Sequence, residues 1–165
     1  MALIRLSKVV MVAGLAAYAL LVAFGNITDY GSNFAFIQHV MSMDTTFPGN
    51  RLMYRAITSP ALHRIAYGAI ITGEGLTGIV LALGAGRLWT ARGDAARFAA
   101  AKGMVALGAA LAFLIWFVGF LVIAGEWFAM WQSTTWNGQE SAFRFVACFL
   151  LVTVFVMISD EGVFV

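Results

Sequence analysis

The sequence predicts an all-α membrane protein: a four-transmembrane-helix bundle with a short-helix cap on the outer, periplasmic side. Three observations predict it. Of 165 residues, 62% are hydrophobic and only 11% are charged, whereas a soluble domain carries about 25% charged residues. Four apolar runs, at about 9–25, 65–85, 103–124 and 142–159, are each long enough to cross hydrocarbon, for which roughly 17–25 residues suffice. Lys and Arg gather before the first run and between the second and third, and this sets an expected orientation. No repeat or linker divides the chain, so residues 1–165 read as a single integral membrane domain.

The first run follows Arg5 and Lys8, and Ala17-Tyr-Ala19 resembles a signal cleavage site. The apolar stretch nevertheless continues through Phe24, so an uncleaved helix is the better reading. The connection over residues 26–64 is too long for a plain loop. Within it Asn33 is placed to cap a short helix over 34–43. Phe34, Ile37 and Met41 share one face there, as in a helix lying flat at the interface. Phe47-Pro-Gly-Asn50 is a turn, and residues 51–57 suit another short helix.

Ser59-Pro60 starts the second span, with proline where no N–H is needed, and Gly84 and Gly86 are read as its end. The connection at 86–102 carries Arg87, Arg92, Arg97 and Lys102, with Gly93-Asp94 supplying a cap for the third helix. The connection at 125–141 carries no Lys or Arg, and Asn137-Gly138 turns the chain into the fourth span. Both termini are therefore expected in the cytoplasm.

Few residues carry recognisable chemistry. Glu74 lies near the middle of an apolar run, where a carboxylate must be protonated, paired or facing a wet cavity. It reads either as a proton relay or cation site, or as a packing device among Gly73, Gly75 and Gly78. Glu126 and Arg144 are equidistant from a hairpin tip near Thr135 and are expected to form a membrane-embedded ion pair, with Glu74 a second candidate partner for Arg144. Trp127, Trp131 and Trp136, with Gln132 and Asn137, form either an aromatic belt at the interface or a recognition surface. His39, Met41 and Met43 are weak candidates for a soft metal such as Cu(I), and no metal is expected.

Other classes are excluded or disfavoured. A net charge of +2 is too slight for nucleic acid, and the single cysteine, Cys148, rules out an internal disulfide. No histidine lies within the four runs to hold haem, no phosphate loop or Ser/His/Asp set stands out, and no cofactor is expected.

Several segments carry a family resemblance. Asn26-Ile-Thr-Asp-Tyr-Gly-Ser-Asn33, Gln38-His-Val-Met-Ser-Met-Asp-Thr-Thr46, Tyr54-Arg-Ala-Ile57, Gly125-Glu-Trp-Phe-Ala-Met-Trp-Gln-Ser133 and Trp136-Asn-Gly-Gln139 resemble a bacterial family of predicted small integral membrane proteins, a domain of unknown function. The resemblance spans nearly the whole chain. It implies a four-helix protein of the bacterial inner membrane, and it implies no activity and no site residue.

The function expected from the sequence is a non-enzymatic accessory or interaction subunit of a larger membrane complex, in contact with lipid and another integral membrane protein. The alternative is a small proton-coupled transporter or channel using Glu74, Glu126 and Arg144. A membrane enzyme with its site in the outer cap, lined by His39, Asp44 and Trp131, comes third.

Overall fold

The computed structural model describes residues 2–160 and, among them, contains helices and no strand. Helix α1, Ala2–Thr28, is followed after Asp29 by α2, Tyr30–Ser42. Then come a one-turn 3₁₀ helix, Met53–Arg55, and the long α3, Pro60–Ala91. Helix α4, Ala95–Ala112, runs without a break into a π-helical segment, Phe113–Trp127. After another 3₁₀ turn, Met130–Gln132, α5 spans Gln139–Met157.

Four of these helices, Ala2–Thr28, Pro60–Ala91, Ala95–Trp127 and Gln139–Met157, are long and apolar enough to cross a membrane. They contain or overlap the four apolar runs of the sequence. Much of their large apolar surface faces outward, including Leu21, Phe24, Leu83, Leu114, Leu151 and Val154. Such surface belongs in hydrocarbon, so this is an integral membrane protein.

Helical periodicity sets the interior. Val12, Ala16, Ala19 and Ala23 of α1, and Leu81, Ala85, Leu88 and Ala91 of α3, recur at three- and four-residue spacing and are buried. Helix α1 packs on α3, α3 on α4, α4 on α5, and α5 back on α1. Glycines permit the close approaches, and a Cβ on Gly73 would collide with Ile115. A Cβ on Gly78 would lie 2.6 Å from Leu20 Cγ, and one on Gly108 would lie 2.5 Å from Leu81.

At one end the connections before α3 and α5 fold onto each other. Thr45 Oγ1 donates to Ser133 Oγ at 2.8 Å and Phe47 N–H to Gln132 Oε1 at 3.1 Å, while Ile57 N–H closes the first connection on itself by donating to Met41 O at 2.8 Å. Beneath them Val40, Met43, Phe128, Ala129 and Met130 form a small apolar cluster. Met43 and Ala129 turn the chain with φ of 55° and 50°, an uncommon conformation for residues with a side chain.

At the other end the basic residues are tied down. Lys8 Nζ donates to Asp160 Oδ1 and to Ile158 O, both at 2.6 Å. Lys102 Nζ donates to Ile158 O at 2.8 Å and lies 3.2 Å from Asp160 Oδ2, while Arg5 donates to Arg92 O at 3.0 Å. Burial alone would raise the Asp160 carboxyl, but hydrogen bonds and charge from Lys8 and Lys102 outweigh it and hold it below its ordinary value.

Local boundaries differ from expectation in two places. Helix α2 begins at Tyr30, so Asn33 sits inside it rather than capping it, its amide reaching back to Asp29 O at 3.4 Å. Helix α3 passes through Gly84 and Gly86 to Ala91, and Gly84 is buried against Met104 and Val105 of α4. Neither glycine ends the helix, and Gly84 serves close packing. The Asp94 cap is as the sequence indicates, its Oδ1 accepting Arg97 N–H at 3.0 Å.

Candidate functional site

Glu74 stands near the middle of α3 and is 2% exposed. Asn26, close to the end of α1, donates from Nδ2 to Glu74 Oε2 at 2.7 Å. One helical face of α3 carries both Glu74 and Tyr67, seven residues apart. The Tyr67 hydroxyl donates to Asn26 O at 2.9 Å, so a tyrosine, an amide and a carboxyl form one hydrogen-bonded chain across α1 and α3. Tyr30 and Phe34 of α2 pack on the Tyr67 ring, at 4.8 and 5.9 Å between centroids, and hold it in place.

This chain lines a cavity of about 340 Å³. All the long helices contribute to it: Val22 and Asn26 from α1, Tyr67, Ile70 and Glu74 from α3, Trp116 and Phe120 from the π segment, and Ser141, Ala142 and Phe145 from α5. Asn33, Phe36 and Ile37 of α2 close one side, with Asn137 and Gly138 beside them. The aromatic wall is well ordered, since Trp116 stacks on Phe145 at 4.6 Å and 5°, and Phe145 on Tyr18 at 4.5 Å and 11°. No Lys, Arg or His lines this cavity. It is a polar pocket with aromatic walls and one acidic group, within the size range of small-molecule sites.

The expected pair of Glu126 and Arg144 does not form. Both side chains are exposed, and the Arg144 guanidinium donates to Ser141 Oγ at 3.1 Å on its own helix. The depth-matching assumed two regular helical arms meeting at Thr135. Residues 128–138 instead form an irregular segment with one 3₁₀ turn, leaving Glu126 at the last turn of its helix and Arg144 more than a turn inside α5. Arg144 does not reach Glu74 either, whose partner is Asn26.

The tryptophan-rich stretch divides. Trp127 and Trp131 are half exposed, with Arg55 over the Trp127 ring at 4.8 Å and Phe47 edge-on to Trp131 at 5.8 Å. Trp136 is drawn in between Phe36 and His39, the His39 ring stacking on it at 4.6 Å. Gln132 is buried and holds the backbone of Phe47, while Asn137 accepts Gln139 N–H at 3.1 Å and borders the pocket.

His39 Nδ1 is engaged by Asp44 at 2.8 Å. Met43 is buried in the apolar cluster, and Met41 packs against that cluster. No group of three His, Cys, Asp or Glu side chains suited to a metal occurs among the described residues. His39 turns to Trp136 and Trp131 to Phe47.

Sequence reasoning found Glu74 but missed Asn26 and Tyr67. Their signals were slight: an amide at the end of an apolar run, and a tyrosine in register with the acid.

No curated protein and no solved structure matches the chain. Residues 4–159 match a family described as predicted small integral membrane protein, DUF2165. The match covers nearly the whole sequence and all four long helices, and the chain belongs to that family.

Proposed function

We propose that this protein binds a small organic cation within the membrane, at Glu74, as the recognition step of a transport function. The observation that carries this reading is a buried carboxyl at the wall of a cavity of about 340 Å³ lined by Trp116, Phe120, Phe145 and Tyr67 and by no basic side chain. A carboxylate in such a setting gains from an arriving cation, which supplies the charge its surroundings lack. Aromatic faces attract the same ligand, most strongly when it is desolvated. The neutral side-chain oxygens of Asn33, Asn137 and Ser141 can face the cation and orient it. Glu126 and Arg144 have no part in this reading.

The basic end, with Arg5, Lys8, Arg92 and Lys102, is assigned to the cytoplasmic side of a bacterial inner membrane, because cationic flanks are retained there. The capped end then faces the periplasm, and the cavity lies nearer that side.

The test is equilibrium binding of benzyltrimethylammonium to the full chain in lipid nanodiscs, compared with its neutral carbon isostere. Saturable binding of the cation, weakened at least about tenfold by Glu74→Gln, is expected. Equal binding by wild type and a folded Glu74→Gln variant would overturn the proposal.

One observation favours a second reading, an accessory subunit of a larger membrane complex. Trp127 and Trp131 stand about half exposed on one rim, as anchors for a partner helix do. A protein that co-purifies in mild detergent and is released by alanine at both positions would support it, whereas an unaccompanied chain across several detergents would count against it.

A further inference from the structure

Beside the Glu74 cavity lies a second one of about 350 Å³. The two share Phe36 and Ile37 of α2, Ile70 of α3 and Phe120 of the π segment. Their chemistry is opposite. The first is bordered by a carboxyl, a phenol, a hydroxyl and three amides, whereas the residues around the second, Met41 and Phe128 among them, offer no polar side chain other than the thioether of Met41. An apolar space of this kind gives water no partner, and its walls forfeit dispersion contacts unless hydrocarbon fills it.

We infer that the two cavities form one site for a single-chain cationic amphiphile, an alkylammonium whose head lies against Glu74 and whose tail fills the apolar cavity. This rests on the cation-binding reading and adds the class of ligand. The shared wall of Phe36, Ile37, Ile70 and Phe120 is where head joins tail. No Lys, Arg or His borders either cavity, so a phosphate would enter beside a carboxyl with no charge to balance it. That excludes a phospholipid head group as the favoured occupant. The tail cavity also matches one chain better than two.

The experiment uses the full chain in nanodiscs, with labelled benzyltrimethylammonium displaced by decyltrimethylammonium, tetramethylammonium or decyl phosphate. Two variants fill the apolar cavity from different helices, Ala66→Phe on α3 and Gly119→Leu in the π segment. Comparing variants at a fixed lipid composition cancels partition of the probes into the bilayer. Each filling variant is expected to weaken decyltrimethylammonium at least about tenfold, the worth of roughly two buried methylenes, while tetramethylammonium changes less than twofold. Glu74→Gln is expected to weaken both cations, and decyl phosphate to displace nothing.

If neither filling variant affects the decyl probe while Glu74→Gln still weakens both cations, the tail assignment is overturned and the cation site stands. If decyl phosphate competes as well as the decyl cation, the cationic head is overturned. If Glu74→Gln affects no probe, both readings fall together. Two filling variants guard against one of them failing to fold.

Discussion

Asp160 meets two lysines from different helices, Lys8 of α1 and Lys102 of α4, with all three side chains largely withdrawn from solvent. Because its carboxyl is held below the ordinary value of 3.8, the folded state binds its proton less readily than the unfolded chain does. The stabilisation is therefore complete above the unfolded pKa and is lost as pH falls through the lower folded value. Thermal unfolding in detergent micelles at pH 6 and pH 3 should show wild type losing more stability on acidification than Asp160→Asn. At pH 6 the variant should be weaker by about 1.5–3 kcal/mol, the worth of hydrogen bonds to a charged group. Equal acid sensitivity in the two proteins would refute the assignment. Elsewhere at this scale the sequence was uneven. Glu74 announced itself, because an acid in an apolar run must be protonated, paired or facing a wet cavity. The Asn26 and Tyr67 partners did not, because asparagine and tyrosine are ordinary near a membrane interface and only the fold reveals their convergence.

Among the elements, α1, α3 and α4 are joined by small residues that let backbones approach. Gly78 and Gly86 both lie on α3, yet a Cβ on Gly78 would collide with Leu20, whereas one on Gly86 meets nothing within 4 Å. Gly78→Val should lower stability by about 1–3 kcal/mol, the usual cost of overpacking, and Gly86→Val should be nearly silent. Parallel thermal melts of the two variants check this, and equal melting temperatures would refute it. The spans themselves were legible because hydrocarbon thickness imposes their length. The π-helical register of Phe113–Trp127 was not. That stretch is apolar on every side, so it has no polar face whose spacing could betray the number of residues per turn. The register matters to the site, since it directs Trp116 and Phe120 to the polar cavity and Gly119 and Ile123 to the apolar one. The hairpin of Glu126 and Arg144 failed for a related reason: residue counting gives depth only where the chain stays helical.

On the scale of the whole molecule, the two ends differ in the groups they tie together. Arg5, Lys8, Arg92 and Lys102 collect at one end, and the tied connections with Trp127, Trp131 and Trp136 at the other. With the basic end assigned to the cytoplasm, a thiol at Thr134 is outside and one at Gly93 inside. In a Cys148→Ser background, a membrane-impermeant maleimide on spheroplasts should label Thr134→Cys and leave Gly93→Cys untouched until the membrane is opened. The reverse pattern would invert the topology and the access route to Glu74. The all-helical membrane architecture was readable from composition and run length alone, since the bilayer permits so few alternatives. What the two connections build on each other was beyond reach, because their bonds link residues such as Thr45 and Ser133 that no local pattern relates.

The tie between Lys8 and Asp160 spans 152 positions of sequence. It joins α1 to the segment that follows α5. Throughout synthesis of the intervening chain, Lys8 and then Lys102 carry charge that Asp160 does not yet answer. The positive charge available to orient helices during insertion is thus partly neutralised only once Asp160 has been made.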